Sequence, residues 1–237
     1  MYDEVYKLNA KNLSERLKQV ASFVEENTIL ADIGSDHAYL PCYLVHTGKI
    51  TTSIAGEVVK GPYESALKHV KSEGLEKQID VRFGNGLEVI RTEDHVQTIT
   101  IAGMGGPLIA SILEAGKEKL KTVEMLILQP NIHAKAIREW AIDNNWNIFD
   151  EAILEEHNKI YEILVLKKGT MNLTNQELLL GPYLMKYKTE IFIKKWTNEI
   201  KEWQRIIDQL NKIAFTTEVE QKKAELEQKI AIVEGTL

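Results

Sequence analysis

Cysteine is nearly missing from this chain of 237 residues. The single thiol, Cys42, excludes an internal disulfide and any zinc site built on several cysteines. Long hydrophobic runs are missing too. The longest apolar stretches, such as Met125-Leu126-Ile127-Leu128, are strand-sized and far too short to cross a bilayer, so no membrane partner is expected. The first residues, Met1-Tyr2-Asp3-Glu4-Val5-Tyr6-Lys7, carry neither a basic leader nor an apolar stretch, and no secretion signal is expected. A reducing cytoplasm is the simplest expectation for localisation. No Gly-Lys-Ser/Thr phosphate loop occurs, which leaves ATP hydrolysis without support. The histidines, His37, His46, His69, His95, His133 and His157, form no pair at metal-ligand spacing, so no metal is expected. Positive charge is also in deficit, with a net charge of −6. The deficit lies wholly in residues 1–174, because the segment from Asn175 onward holds as many basic as acidic groups. Within 186–205, Lys186, Lys188, Lys194, Lys195, Lys201 and Arg205 outnumber Glu190, Glu199 and Glu202. Such a run is ordinarily a solvated helix face, and it permits a polyanionic partner.

What is present is a rhythm. Leu13, Leu17, Val20 and Val24 recur at helical spacing, which predicts an amphipathic helix over 11–25. Strand-like segments at 28–33, 52–56, 79–83, 98–102 and 124–129 alternate with helical patterns near 40–47, 61–73, 87–92, 106–120 and 132–144. Strands joined by helix-length connections imply parallel pairing with right-handed crossovers. After the fifth unit the rhythm changes. Segments 146–154 and 160–167 read as two strands joined by too few residues for a crossover helix, hence an antiparallel hairpin. This ending resembles the sheet of class I methyltransferases, whose last strand inserts antiparallel. A boundary is expected at 169–174, dividing a domain over 1–169 from a helical one over 170–237, with Thr174 or Asn175 capping the first helix. Beyond it, Ile193, Trp196, Ile200, Trp203, Ile207 and Leu210 form a coiled-coil seam. A weaker seam, Val219, Leu226, Ile230 and Val233, follows a break around Ala214-Phe215-Thr216-Thr217. The two helices are expected to fold back as a hairpin, with the tryptophans packed in its core in preference to stacking on bases.

The chemistry concentrates at strand ends. Asp32-Ile33-Gly34-Ser35-Asp36-His37-Ala38-Tyr39-Leu40-Pro41 takes a strand through a glycine turn into a helix. A dinucleotide fingerprint would place glycines where Asp36 and Tyr39 stand. A carboxylate there repels a pyrophosphate, so the turn suits a cofactor without phosphates, ideally a cationic one. Asp36 has a second reading as a helix N-cap. Glu57, at the end of the second strand, is placed to hold both hydroxyls of a ribose; a plain exposed loop glutamate is the alternative. Gly84-Asn85-Gly86 leaves room for a flat base, and Asn85 can donate and accept at an adenine edge. A type I′ turn is its other reading, although no strand follows closely enough for a hairpin. Ala102-Gly103-Met104-Gly105-Gly106-Pro107 and Gln129-Pro130-Asn131 end the next two strands on the same edge, where open α/β sheets bind ligands. Cys42 falls inside a helical segment and reads as a buried, inert thiol.

Together, the Asp32–Pro41 stretch, Ala102-Gly103-Met104-Gly105-Gly106, Leu128-Gln129-Pro130-Asn131 and Lys159-Ile160-Tyr161-Glu162-Ile163 resemble the bacterial TrmK family over nearly the whole chain. Asn85 departs from the pattern, which favours Asp before Gly86. The resemblance implies a Rossmann-like class I methyltransferase domain, with a seven-stranded mostly parallel sheet, followed by a C-terminal helical coiled-coil hairpin. It implies S-adenosyl-L-methionine as cofactor and transfer of its methyl group to N1 of adenine 22 in tRNA. Cofactor-side residues would be Asp32, Gly34, Ser35, Asp36, His37, Glu57, Asn85, Gly86, Gly103 and Met104. Catalytic contacts would fall on Asp36, Met104, Gly105 and Asn131, with Asp36 and His37 able to face either cofactor or base. The six basic residues of 186–205 would grip tRNA phosphates in a monomer, weak dimerisation through the coiled coil being the alternative. Two competing readings are a methyltransferase acting on a small molecule or protein, and a non-catalytic nucleotide-binding scaffold whose coiled coil recruits partners.

Overall fold

Strand burial sets the architecture of the computed structural model, which describes residues 12–212 and 216–237. β1 (Leu30–Ile33) and β2 (Ser53–Glu57) are buried at every position, as strands covered on both faces must be. β3 (Ile79–Phe83) mixes buried and exposed positions, as suits the sheet edge it occupies. With β4 (Thr98–Gly105), β5 (Met125–Ile132), β6 (Trp146–Glu156) and β7 (Lys159–Lys168), the order is β3-β2-β1-β4-β5-β7-β6. β1 through β5 pair in parallel, and β7 lies antiparallel to β5. The expected class I arrangement is therefore present.

Helices supply the crossovers. α1 (Glu15–Phe23) starts at Ser14, whose hydroxyl accepts the Leu17 amide at 3.2 Å. α2 (Tyr39–His46), α3 (Lys60–Ser72), α4 (Gly106–Ala115) and α5 (Lys135–Asp143) follow their strands. Four predicted helices are shorter than expected, α1 covering 15–23 of 11–25 and α5 covering 135–143 of 132–144. The one near 87–92 is a single 3₁₀ turn at Gly86–Val89. The one over 106–120 is divided: α4 ends at Ala115 and a 3₁₀ turn follows over Lys117–Lys121, with Gly116 between them so close to Leu87 that an added Cβ would lie 2.4 Å away. β4 and β5 run longer than predicted, through Gly105 and Ile132. Their glycine-rich and Gln-Pro-Asn ends pair with each other across a bulged register, Met104 with Pro130 and Gly105 with Ile132. Arg138 of α5 is wholly buried and donates to Glu151 of β6 at 2.8 Å and Glu162 of β7 at 2.7 Å. That ion cluster fastens α5 to the hairpin strands.

The described chain divides into two compact units, one over residues 1–152 and 161–172, the other over 153–160 and 173–237. The hairpin tip thus clusters with the helices, a grouping that a cut at 169/170 leaves out. In the second unit, Thr174 and Glu177 form a reciprocal capping box opening α6 (Asn175–Leu180). α7 (Pro182–Tyr187), α8 (Glu190–Leu210) and α9 (Thr217–Glu234) follow. Leu180, Leu184, Phe192, Trp196 and Val233 form its core, with Ile153, Ile200 and Trp203 packed against them. The seam begins at Phe192, since Ile193 is 43% exposed. The tryptophans are core residues, with the Trp196 ring 6.2 Å from both Phe192 and Trp203. The expected break at Ala214-Phe215 and the reading of Met1–Lys7 lie outside the described residues. Thr216 caps α9 through the Val219 amide. Among the described residues no helix is long and apolar enough to cross a membrane.

Candidate active site

The first turn is built on backbone in an unusual conformation. Gly34 has φ +70°, and the amides of Gly34 and Ser35 both donate to the Gly56 carbonyl, at 2.9 and 3.2 Å. Asp36, His37 and Ala38 then follow at φ +33°, +61° and +55°. Left-handed backbone costs an L-residue roughly 1–2 kcal/mol each, so this turn needs outside support. Ala38 N donates to Ser35 O at 3.2 Å. Asp36 N donates to Glu57 Oε1 at 2.7 Å, and His69 Nδ1 donates to His37 O at 2.6 Å. The structure corrects the N-cap reading of Asp36, because α2 begins at Tyr39 with Ala38 in the cap position and no side-chain cap. The Asp36 carboxylate is 74% exposed, 3.5 Å from His37 Nε2.

Beneath the turn lies Asp32, buried in the sheet. Ser35 Oγ donates to its Oδ2 and Thr100 Oγ1 to its Oδ1, each at 2.6 Å. Loss of hydration raises its pKa to about 6, with the two hydroxyls pulling the other way. Asp32, expected on the cofactor side through its charge, accepts one hydroxyl of the turn and one of β4. Glu57 is also buried, and one of its oxygens holds the Asp36 amide. Among the described residues its Oε2 carries no hydrogen bond. One strand further out, Gly84 N donates to Glu57 O at 2.8 Å. Asn85 is exposed and leads into the 3₁₀ turn at Gly86, φ +55°, so the segment is not a hairpin turn.

Across β1 lies the glycine-rich end of β4. A Cβ at Gly34 would sit 2.1 Å from Met104 Cε, so the Met104 methyl group rests on Gly34. Gly103, at φ +79°, has its N–H bound to Gln129 Oε1 at 3.0 Å and its carbonyl to Asn131 Nδ2 at 2.7 Å. Gln129 is wholly buried, and its Nε2 donates to Pro130 O at 2.8 Å. Gly105 follows Met104 in the bulge, and Gly106 packs so tightly that a Cβ would lie 2.0 Å from His133 O.

Besides His69, three participants escaped the sequence reading. Arg16 of α1 donates from Nη1 to Gln129 Oε1, and its guanidinium lies 5.4 Å from the centre of the Tyr161 ring. A lone arginine on an amphipathic helix carries no local signal of this, and nothing local to Tyr161 marks it as the arginine's partner. Thr100 was one polar position inside an apolar strand. Cys42 is buried, and burial pushes its thiol up to about 12, which suits an inert side chain.

The basic residues of 186–205 belong to the helical unit. Lys188 Nζ binds Thr236 O, Lys194 holds both oxygens of Glu155 at 2.6 and 2.7 Å, and Arg205 holds Glu202 at 2.8 Å. Lys195 lies 4.7 Å from the Trp196 ring centre, while Lys186 and Lys201 are exposed. Part of the positive charge is therefore already engaged within the unit.

The donor set fits an adenosyl sulfonium. A buried carboxylate with one oxygen to spare suits vicinal hydroxyls, and an exposed carboxylate at the turn suits positive charge and opposes a pyrophosphate. A family model described as TrmK, tRNA (adenine(22)-N(1))-methyltransferase, matches residues 30–235. The tRNA (adenine(22)-N(1))-methyltransferase of Bacillus subtilis is 46% identical over 97% of this chain and 99% of its own. A Streptococcus pneumoniae protein solved in complex with S-adenosyl-L-methionine is 45% identical, with TM-score 0.87 over 95% of this chain and 100% of that one. Mycoplasma capricolum TrmK, solved with S-adenosyl-homocysteine, is 31% identical, with TM-score 0.83 over 94% of this chain and 96% of that one. The chain belongs to the TrmK family of tRNA (adenine(22)-N(1))-methyltransferases.

Proposed function

We propose that this chain methylates N1 of adenine 22 in tRNA, with its carboxyl-edge loops divided between cofactor and target base at the Gly34–Met104 contact. S-adenosylmethionine supplies an electrophilic methyl group on a sulfonium. Glu57 holds the ribose hydroxyls through its spare oxygen, the observation that carries the assignment of the cofactor side. Asn85 meets the adenine edge of the cofactor, and Asp36 with His37 faces the amino-acid tail. Gly34, Ser35 and Gly86 let the backbone approach, and Asp32 keeps the turn in place from below. Met104, Gly105 and Asn131 line the side of the target base, with Gly103 held between Gln129 and Asn131.

Adenine N1 carries its own lone pair, so no enzyme nucleophile is required. Placement of N1 in line with the transferred methyl is the main catalytic contribution. The product base is cationic, and the carbonyls of Gly103 and Pro130 offer negative ends of dipoles on that side. N1 is engaged in base pairing within folded tRNA, so the adenosine must leave its stack to enter. Lys186, Lys195 and Lys201 of the helical unit grip phosphates, with Lys188, Lys194 and Arg205 contributing as far as their internal partners allow. A tRNA substrate places the enzyme in the cytoplasm, acting as a monomer of a catalytic domain over 1–169 and a helical domain over 170–237.

Incubation with methyl-labelled S-adenosylmethionine and unmodified tRNA, followed by mapping of the product, tests this reading. Label is expected at N1 of adenine 22. Transfer to a metabolite or protein with none to tRNA overturns it.

A further inference from the structure

The turn that carries Asp36 is held by two side chains from outside it, and only one of them belongs to the cofactor side. Glu57 lends its carboxylate to the ligand as well as to the Asp36 amide. The second support is His69, near the end of α3, 15% exposed at its side chain. Its Nδ1 lies 2.6 Å from the His37 carbonyl oxygen. A carbonyl can only accept, so Nδ1 carries the hydrogen. The opposite ring nitrogen faces Glu73 Oε1 at 3.7 Å, and Glu73 Oε2 in turn lies 2.8 Å from His46 Nε2. Tyr39 packs edge-on against the His69 ring, at 4.8 Å between centres, and stacks on His37 at 5.3 Å. The imidazole is thereby a fixed strut from α3 to the centre of a turn whose backbone is intrinsically disfavoured.

We propose that His69 is a positioning residue for methyl transfer: its hydrogen bond to the His37 carbonyl keeps Asp36, His37 and Ala38 in the left-handed conformation that receives the cofactor. The inference rests on the assignment of this edge to S-adenosylmethionine. A turn of three left-handed L-residues is costly by itself, so its population depends on the groups that hold it. One hydrogen bond therefore shifts the binding-competent population, and affinity scales with that population.

The test uses the full chain and two variants, His69→Phe, which keeps a flat ring without the donor, and His69→Asn, whose amide nitrogen replaces Nδ1–H. Isothermal titration with S-adenosylmethionine is expected to show roughly three- to tenfold weaker binding for His69→Phe, with most of the loss restored in His69→Asn. The KM for the cofactor should rise by the same factor, while kcat at saturating cofactor and the KM for tRNA stay level. Equal losses in both variants, or no loss in His69→Phe, overturn the proposal. Nitrogen NMR of the unaltered protein gives a measure independent of variant folding. A hydrogen on Nδ1 of His69 is expected, and a ring protonated only at Nε2 overturns the strut. Failure of the unaltered protein to bind the cofactor would overturn the reading of the edge, and the strut with it.

Discussion

Replacing Glu57 by glutamine separates the two tasks assigned to that side chain. The amide keeps an oxygen for the Asp36 N–H, now 2.7 Å from Oε1, so the turn and the thermal stability should change little. What is lost is the negative charge and the ability to accept from two hydroxyls at once. Hydrogen bonds to a charged group contribute about 1.5–3 kcal/mol, which is roughly a 10- to 150-fold rise in Kd for S-adenosylmethionine. Titration calorimetry should use both S-adenosylmethionine and S-adenosylhomocysteine. The two share the ribose and differ in the sulfonium charge. If Glu57 holds the ribose, both ligands weaken by the same factor. Wild-type affinity in Glu57→Gln, or a loss confined to the charged ligand, refutes the ribose assignment. Glu57→Ala additionally leaves the Asp36 amide without its acceptor, so it should lose melting temperature as well as affinity.

Asp32 and Arg16 give two further outcomes. The carboxyl of Asp32 rises from 3.8 in the unfolded chain to about 6 in the folded one. Between those values the folded chain binds a proton that the unfolded chain does not, so stability from this group falls as pH rises through the window and is level above it. The full fall is on the order of 3 kcal/mol; urea unfolding from pH 4.5 to 7.5 should show Asp32→Asn gaining on the wild type as pH rises, and parallel curves would count against the burial. Arg16→Met removes the donor to Gln129 and the contact with Tyr161, a loss of about 1.5 kcal/mol or more at the base side. Single-turnover methylation should slow about tenfold with cofactor affinity unchanged, and an unchanged rate would remove the Arg16–Gln129–Gly103 linkage from the mechanism.

Much of this was legible in the residues themselves. Apolar runs of strand length separated by helical periods specify parallel pairing, and the short connection between β6 and β7 forces an antiparallel return. Gly34, Glu57 and Asn85 marked a candidate ligand edge, because they stand at the carboxyl ends of parallel strands, where open α/β sheets bind ligands. The seam of α8 was visible at Trp196 and Ile207, although Phe192 took the place of Ile193, since spacing alone does not tell which of two neighbouring apolar residues faces the partner helix. The extension of β4 and β5 was not legible, because glycine and proline carry no strand signal and pair here only through each other.

The turn opened by Gly34 shows where local information ends. The sequence by itself argued against a pyrophosphate there, because Asp36 puts a carboxylate where the fingerprint needs a glycine. Whether Asp36 capped its own helix depended on the dihedral angles of residues 36–38, which Glu57 and His69 brace from other elements. The hydroxyls of Ser35 and Thr100 that meet the two oxygens of Asp32 were likewise not legible in its spacing. A side chain's type and spacing are written in the sequence, whereas the partner that claims it is chosen by tertiary packing, across separations of up to 113 residues in the case of Arg16 and Gln129.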